Sequence, residues 1–322
     1  MNYARIAGIG SFLPDKVVTN KDLEKMMDTS DEWIRERTGI RRRHVVADNE
    51  TTATIGLAAA ERAMADARVG PADIDLIIVG TTTPDKVFPA TACMIQRRLG
   101  VKGCPAFDIQ AACSGFIYAL DIANRFIKTG GATTALVIGA ETLSRITNWE
   151  DRGTAVLFGD GAGCVVLQAS DEAGVISTHI HADGEYEDLL QVRCGISIGY
   201  DQTRSGGAFI EMNGNAVFKR AVETFDKIAR ETMADLEGEI GDIDWFVPHQ
   251  ANMRIITAAA RKLGIPMERV IATVDEHANT SSASIPLALD QAVRDGRIRR
   301  GDTLMFAAFG AGFTWGSAVV KY

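Results

Sequence analysis

The chain repeats itself at a spacing of about half its length, and this repeat limits the possible folds more than any other feature. Residues 73–79 read Asp-Ile-Asp-Leu-Ile-Ile-Val and residues 242–247 read Asp-Ile-Asp-Trp-Phe-Val, so that Asp75 and Asp244 stand 169 residues apart. Further matches follow in the same order, between residues 97–100 and 261–264, 107–108 and 274–275, and 119–121 and 288–290. Matches in one order along a whole chain predict two copies of one structural unit.

Each unit alternates helical patterns with short strands rich in valine, isoleucine and leucine. Strands that are buried on both faces and separated by helices predict parallel sheets with helices on either side. Two such units packed together give an α/β protein of five layers, α/β/α/β/α. We place the boundary between residues 1–170 and residues 171–322, and we expect residues 274–275 to lie in a strand, as their match 107–108 does.

The most informative single residue is Cys113, which lies where a strand pattern gives way to a helix. Residues 106–110 form the strand pattern, and an apolar helical face then runs from Phe116 to Ile127, before glycines end the helix at 129–131. A thiol at a helix N-terminus meets free N–H groups and the positive end of the helix dipole, which both favour the thiolate. The position therefore predicts a nucleophile; the alternative is a small buried core residue, the commoner fate of cysteine.

The repeat places two further polar residues near this turn. His249 follows the strand pattern of residues 242–247, which matches residues 73–79 of the first unit. Asn279 lies in residues 278–281, the counterpart of the Cys113 turn. Because sheets of this class bind ligands at the carboxyl ends of their strands, a pseudo-twofold axis can bring all three residues into one site. Taken alone, the histidine fits a buried core residue whose hydrogen bonds are all made, and the asparagine fits a helix cap. We leave out His277, which alternation along a strand would point to the opposite face.

Composition and charge fit a globular protein and exclude several classes. The 322 residues are 46% hydrophobic and carry a net charge of −8, which argues against nucleic-acid binding. The N-terminus lacks a signal-peptide pattern, and the uncharged stretch 303–320 contains three glycines, so we predict two strands joined by a turn rather than a membrane span. Five cysteines without paired short spacing predict neither disulfides nor a metal site, and favour a reduced, cytoplasmic protein.

Together these residues and their surroundings resemble the thiolase superfamily, and within it the β-ketoacyl-acyl-carrier-protein synthase III family. The resemblance spans almost the whole chain and depends on motifs in a fixed order. They are the Cys-His-Asn set at 113, 249 and 279 and the segments 29–34, 37–40, 88–92, 151–154, 158–163 and 309–316. The resemblance implies the duplicated five-layered thiolase fold and an acyltransferase that initiates bacterial fatty acid synthesis.

The chemistry implied by this family is a decarboxylative Claisen condensation. Cys113 would take the acyl group of an acyl-coenzyme A (acyl-CoA), and malonyl-acyl-carrier protein would then lose carbon dioxide. His249 and Asn279 would donate hydrogen bonds to the resulting enolate, and the backbone N–H groups of Cys113 and Ala311 would hold the second oxyanion. The family usually has glycine at the position of Ala311 and often at that of Ala278, and alanine suits position 311 if its φ is negative. No cofactor or metal is implied, because the CoA thioester is a substrate.

The resemblance also implies substrate contacts and a homodimer. Trp33 would stack on the adenine, with Arg152 on its other side and Arg37 at a phosphate. Phe88 would cross the dimer interface and close the acyl pocket of the second subunit, which favours a short primer such as acetyl-CoA. The other CoA contacts carried over by position are Thr29, Thr38, Gly214, Asn215, Phe218, Ala251, Asn252 and Phe309. A candidate docking patch for the acidic carrier protein consists of Lys219, Arg220, Arg254, Arg261 and Lys262.

Several alternatives stay open from the sequence. Trp33 and Arg37 fit a surface cation–π pair, and the docking patch fits an ordinary solvated helix face. Degradative thiolases use a second catalytic cysteine in the C-terminal glycine-rich turn, and residues 309–312 contain none. Elongating synthases use a second histidine at the position where this chain has Asn279. A secondary-metabolite relative and a catalytically silent subunit are both open, as are the length of the primer and the carrier of the extender. We expect charge reversal at Arg254 to weaken use of the carrier protein and to spare acetyl transfer from CoA.

Overall fold

The structure is a computed structural model that describes residues 3–199, 201, 208–235 and 240–322. The strands are β1 (Tyr3–Phe12), β2 (Val17–Thr19), β3 (Arg42–His44), β4 (Leu76–Gly80), β5 (Ala106–Ile109), β6 (Thr134–Thr142), β7 (Asp160–Ser170), β8 (Val175–Ala182), β9 (Leu190–Val192), β10 (Ile210–Met212), β11 (Trp245–Pro248), β12 (Thr303–Gly310) and β13 (Thr314–Lys321). The helices are α1 (Asn20–Leu23), α2 (Asp31–Thr38), α3 (Thr52–Ala67), α4 (Thr91–Leu99), α5 (Gly115–Lys128), α6 (Arg152–Ala155), α7 (Gly214–Asp235), α8 (Met253–Leu263), α9 (Val274–His277) and α10 (Ser284–Arg294).

Two large sheets share one strand order, which confirms the duplication. The first sheet runs β1-β7-β6-β4-β5, and the second runs β8-β13-β12-β11. A parallel bridge from Phe246 to Val270 adds to the second sheet the position that β5 fills in the first. Strand β4 pairs in parallel with β5 and β6, and β11 pairs in parallel with β12.

The prediction of parallel sheets is only half right, because one strand in each sheet, β7 or β13, runs antiparallel to both of its neighbours. Strand β7 pairs antiparallel with β1 and β6, and β13 pairs antiparallel with β12 and β8. Only three residues separate β12 from β13, whereas a parallel connection needs a dozen or more. The short turn therefore forces a hairpin at this point.

Helices cover both sheets and fill the space between them. Helices α3 and α4 pack on the first sheet, and α7 and α8 lie over the second. Helices α5 and α10 lie in the central layer, where their apolar side chains meet strands of both sheets in one buried cluster. The five-layered α/β/α/β/α architecture is thus confirmed.

The spacing of 169 residues relates many elements of the two halves. Strand β4 begins at Leu76 and β11 at Trp245, and β6 begins at Thr134 and β12 at Thr303. The expected strand at 274–275 is wrong, because these residues begin helix α9. The acidic side chains in its first turn suit the positive end of a helix dipole, and Val270 takes the strand position instead.

The uncharged stretch near the C-terminus forms β12 and β13, as predicted. Within the described part of the chain, none of the helices combines the length and apolar character needed to cross a membrane. The five cysteines are free thiols.

Candidate active site

Cys113 lies in a short 3-10 turn, Ala112–Ser114, between β5 and α5. The preceding Ala112 adopts φ +44°, and this strained backbone turns the chain sharply between strand and helix. The second half of the chain holds the turn in place. The Thr314 hydroxyl donates to the Ala111 carbonyl at 2.8 Å, and the Ser114 hydroxyl donates to the Thr314 carbonyl at 3.1 Å.

Two cavities meet at Cys113, whose side chain is buried apart from a small exposed fraction of 8%. A narrow cavity of about 240 Å³ connects it with Trp33, Arg37, His249 and Asn279. A wider cavity of about 530 Å³ lies on its other side and is largely apolar. Its aliphatic and aromatic lining comprises Leu143, Ile146, Phe158, Leu190, Val192 and Ile210. The thiol is therefore placed to react with a group that enters by one cavity and extends into the other.

His249 follows β11 and is buried beside Cys113 in the narrow cavity. Its Nδ1 lies 2.7 Å from the Ser284 hydroxyl, which also accepts the Gln250 backbone N–H at 3.3 Å. The serine proton is therefore available for Nδ1, and this leaves the histidine proton on Nε2. Burial lowers the pKa of His249 to about 3, so the imidazole is neutral and Nε2–H is a hydrogen-bond donor near neutral pH.

Asn279 is held by its backbone between Leu157 and Gly159, which precede strand β7. Its N–H donates to the Leu157 carbonyl at 2.9 Å, and its carbonyl accepts the Gly159 N–H at 3.0 Å. The side-chain Oδ1 accepts the Ser281 backbone N–H at 2.9 Å, which leaves the amide NH₂ as a donor for a ligand. The structure thus brings Cys113, His249 and Asn279 to one cavity.

The expectation that position alone favours a thiolate at Cys113 is wrong. Burial raises the pKa of the Cys113 thiol to about 12; the Ser281 hydroxyl acts in the opposite direction, and a negative charge on Glu141 would add to the increase. The helix dipole is a local effect, whereas desolvation grows with everything that covers the thiol. The resting nucleophile is therefore a neutral thiol that must lose its proton as it reacts.

Ala311 has the backbone conformation that an alanine at this position requires. It lies in the turn after β12 and lines the wide cavity, and its φ is not positive, in contrast to Gly312 at +131°. A methyl group at Gly310 would lie 2.7 Å from the Cys113 nitrogen, so this turn runs against the nucleophile. Ala278 differs, because its φ of +58° and ψ of −161° belong to a region that strongly favours glycine.

Trp33 is flanked by the two arginines expected beside a nucleotide. The guanidinium carbons of Arg37 and Arg152 each lie 4.8 Å from its ring centroid, and Arg152 also donates to the Asp28 carbonyl at 3.0 Å. The Arg152 spacing is too short for a base to lie between it and the indole. An adenine that stacks on Trp33 would have to displace Arg152.

Most of the other expected CoA contacts line the narrow cavity, namely Thr38, Gly214, Asn215, Phe218, Ala251, Asn252 and Phe309. Two of them also have structural hydrogen bonds. The Thr38 hydroxyl donates to the Ile34 carbonyl at 2.6 Å, and the Asn252 side chain caps α8 by accepting the Ile255 N–H at 3.0 Å. Thr29 lies outside the cavity lining, and its buried Oγ1 has no partner among the described residues.

The candidate docking patch lies on α7 and α8, which pack against each other. Acidic neighbours offset part of its charge, since Arg220 pairs with Glu223 at 2.9 Å and Lys262 lies 3.9 Å from Asp226. Arg254 stacks over Phe218 and lines the narrow cavity. Its reversal is therefore no clean test of docking, and the exposed Arg261, which does not line the cavity, is the better residue for that test.

Phe88 lies far out on the surface of the chain. It is 82% exposed and Val87 beside it is 63% exposed, and neither lines the two cavities at Cys113. Two neighbouring large apolar side chains are thus left in solvent by the single chain.

Glu141 is the residue of this site that the sequence analysis missed. It is the penultimate residue of strand β6 and is completely buried, and a negative charge on its carboxyl group would raise the pKa of Cys113. A charged residue in an apolar strand was the available signal, because glutamate is almost never fully buried without a partner.

Fold and cavity together define a thiolase-like condensing enzyme, and comparison with known proteins agrees. A family model described as 3-oxoacyl-[acyl-carrier-protein] synthase III matches residues 107–184, and its C-terminal counterpart matches residues 233–322. The chain is 62% identical over 322 residues to β-ketoacyl-[acyl-carrier-protein] synthase III of Thioalkalivibrio sulfidiphilus, with 100% of both chains covered.

Solved structures give the same result. The chain is similar to 3-oxoacyl-[acyl-carrier-protein] synthase III from Aquifex aeolicus, with 46% identity, a TM-score of 0.93 and coverage of 99% and 100% of the two chains. A priming β-ketosynthase of a polyketide pathway matches with 36% identity, a TM-score of 0.94 and coverage of 99% and 96%. The chain belongs to the β-ketoacyl-[acyl-carrier-protein] synthase III family.

Proposed function

We propose that this chain condenses an acyl-CoA primer with malonyl-acyl-carrier protein, and thereby initiates fatty acid synthesis. The observation that carries the proposal is the position of Cys113 between the two cavities. The narrow one has Trp33 and Arg37 for a nucleotide and leads past His249 and Asn279. The wide one offers an apolar lining for an acyl chain.

In the first half-reaction the Cys113 sulfur attacks the thioester carbonyl of acyl-CoA. The new C–S bond to Cys113 forms, the C–S bond to CoA breaks, and the thiol proton ends on the departing CoA sulfur. The N–H groups of Cys113 and Ala311 are the proposed donors to the oxyanion that forms on the way. One preorganised donor of this kind is worth roughly 3–4 kcal/mol.

In the second half-reaction the malonyl group loses carbon dioxide, and the electron pair of the broken C–C bond forms an enolate. The His249 Nε2–H and the Asn279 NH₂ are the proposed donors to the enolate oxygen. A neutral histidine suits this task, because a donor is needed and no proton has to be transferred. The enolate carbon attacks the acyl carbonyl, and the C–S bond to Cys113 breaks to release the 3-oxoacyl-acyl-carrier protein. The Cys113 thiolate that remains takes up a proton from solvent and returns to the neutral thiol.

A homodimer and a short primer are part of the proposal. The wide cavity of about 530 Å³ is of the size that holds a drug-sized ligand and exceeds what an acetyl group fills. The exposed Phe88 of a second copy would reduce it. We also place the protein in the cytoplasm, where its unpaired cysteines would stay reduced, and we assign it no cofactor.

Intact-protein mass spectrometry tests the proposal. The protein is mixed with a panel of acyl-CoA donors, with and without malonyl-acyl-carrier protein. We expect one acyl adduct on Cys113, lost when the malonyl partner is added and absent in Cys113→Ala. The absence of an adduct from every donor would instead identify a catalytically silent subunit.

A further inference from the structure

Glu141 is a buried carboxyl group without a cationic partner. It is 0% exposed, and among the described residues no Lys, Arg or His lies within ion-pair distance of it. An isolated carboxylate in such a place costs several kcal/mol unless hydrogen bonds compensate fully. The directions of its hydrogen bonds therefore determine its charge.

One carboxyl oxygen is well supplied with donors. Oε2 accepts the Thr82 backbone N–H at 3.1 Å, the Thr82 hydroxyl at 3.1 Å and the Thr83 hydroxyl at 2.7 Å. The Thr81 hydroxyl lies at 3.3 Å. These donors come from the loop that follows β4, and they fix Oε2 as an acceptor.

The other oxygen, Oε1, shares the Thr82 backbone N–H at 3.2 Å and faces two serine hydroxyls of the second half of the chain. Oε1 lies 3.1 Å from Ser282 Oγ and 3.2 Å from Ser281 Oγ. Ser282 Oγ is also 2.7 Å from the Gly80 carbonyl, which can only accept. A serine has one proton, so Ser282 gives it to Gly80 and presents lone pairs to Oε1. The contact between Glu141 and Ser282 is then a hydrogen bond only if Oε1 carries a proton.

We propose that Glu141 is held as a neutral carboxylic acid that donates from Oε1 to Ser282, and that it is a positioning residue for the turns of Cys113 and Asn279. Its burial raises the pKa of Glu141, in the direction that keeps this proton. Cys113 is the titratable group that faces it from the turn before α5. A neutral neighbour spares the reacting sulfur a like charge.

The contacts of Ser282 explain how Glu141 acts on the site. The Ser282 side chain packs against Gly115, the first residue after the Cys113 turn. A methyl group added at Gly115 would lie 3.2 Å from the Cβ of Ser282. Its neighbour Ser281 donates its N–H to Asn279 Oδ1. The proton on Glu141 thus joins β6 of the first half to the segment that carries Asn279, across the surface where the halves meet. The positioning role rests on the proposed function, whereas the protonation does not.

The pH dependence of Cys113 alkylation by iodoacetamide tests the charge, with the modified peptide identified by mass spectrometry. Glutamine copies a neutral acid, because its oxygen accepts from Thr82 and Thr83 and its NH₂ donates to Ser282. We expect Glu141→Gln to keep the wild-type pH profile. A profile displaced to lower pH would show that the variant had removed a negative charge, and would overturn the proposal.

An infrared spectrum gives a readout that needs no acyl donor. We expect a carbonyl band of a protonated carboxylic acid in the wild-type protein near neutral pH that is missing in Glu141→Gln. Asp160 is also deeply buried, and any band that it contributes is common to both spectra and cancels in the difference. Identical spectra would refute a protonated Glu141, even if the synthase reaction proceeds.

Acyl transfer tests the positioning role. We expect Glu141→Ala to lower the rate of Cys113 acylation at least tenfold further than Glu141→Gln does. Equal rates in the two variants would exclude a positioning role. If Glu141→Ala does not fold, the infrared and alkylation measurements on Glu141→Gln still decide the charge, and an inactive wild-type protein would count against the proposed function alone.

Discussion

Ser282 occupies in the second half of the chain the position that Cys113 occupies in the first. The two residues stand 169 apart, the spacing that also relates β6 to β12. Each lies in a 3-10 turn that begins with a residue of positive φ, Ala112 at +44° or Ser281 at +50°, and each turn leads into a central helix. The fold therefore presents two equivalent turns, of which one holds a thiol and the other a hydroxyl bound to Gly80.

His249→Ala should separate the two half-reactions. We expect decarboxylation of malonyl-acyl-carrier protein to slow about 100- to 1,000-fold, because one preorganised donor to the enolate is lost. Acylation of Cys113 by acyl-CoA should be affected far less, because this histidine acts only in the second step. Release of labelled carbon dioxide and the mass of the acyl-enzyme measure the two steps, and an equal loss in both would contradict the assignment.

Trp33→Ala should weaken recognition of the nucleotide. Stacking of a base on an aromatic side chain is worth about 1–3 kcal/mol, so we expect KM for acyl-CoA to rise about tenfold or more with little change in kcat. Acyl-pantetheine, which lacks the adenine, is the matched control substrate and should be used equally well by both proteins. A parallel loss with acyl-pantetheine would mean that Trp33 supports the fold instead.

Arg261→Glu should test the docking patch without disturbing the narrow cavity, which this residue does not line. We expect a higher KM for malonyl-acyl-carrier protein, more marked at low salt, because exposed charges steer association. Acyl transfer from CoA should be unchanged. Arg98→Glu on the opposite outer helix α4 is the control of equal charge change. The same KM in both variants would rule out docking at this face.

Phe88→Ala should broaden the choice of primer if a second copy closes the wide cavity. Removal of the ring leaves more of the 530 Å³ free, so we expect longer acyl-CoA donors to acylate Cys113 faster relative to acetyl-CoA. Sedimentation analysis of the same protein checks the oligomeric state. An unchanged preference in a protein that is still dimeric would remove Phe88 from the acyl pocket.

Acid should destabilise the protein through its buried histidines. Burial lowers the pKa of His249 to about 3 and of His277 to about 4, both below the usual 6.5. The unfolded chain therefore binds these protons at a higher pH than the folded chain does. The free energy of unfolding is at its full value above pH 6.5 and decreases as the pH falls toward 4. Each histidine lowers it by about 1 kcal/mol or more per pH unit. Urea unfolding at several pH values measures it, and His277→Gln should flatten the dependence. An unaltered slope would show that His277 titrates alike in both states.

The sequence predicted what local pattern and repetition encode. The strand, turn and helix around Cys113 follow from residue periodicity, and the repeat predicted that Cys113, His249 and Asn279 would share a site. Residues 274–275 were expected in a strand because their match in the first half is one, while the acidic residues that follow Val274 favour the start of a helix. Repetition identifies equivalent positions more reliably than equivalent conformations.

Burial and charge state could not be predicted from the sequence. The helix dipole at Cys113 is a property of adjacent residues, but the desolvation that raises its pKa comes from both halves of the chain. Glu141 likewise binds Thr83, 58 positions before it, and Ser282, 141 positions after it. No local pattern connects such partners, so the network emerges only from the folded structure.

The ends of strands β6 and β12 each contact a turn that belongs to the other half of the chain. Glu141 at the end of β6 faces the turn of Ser282, and Gly310 at the end of β12 runs against the nitrogen of Cys113. Each half thus completes the turn of the other, and neither contains a working centre by itself. Catalytic turnover therefore depends on the contact between the two halves. A condition that loosens this contact stops turnover while both sheets are still folded.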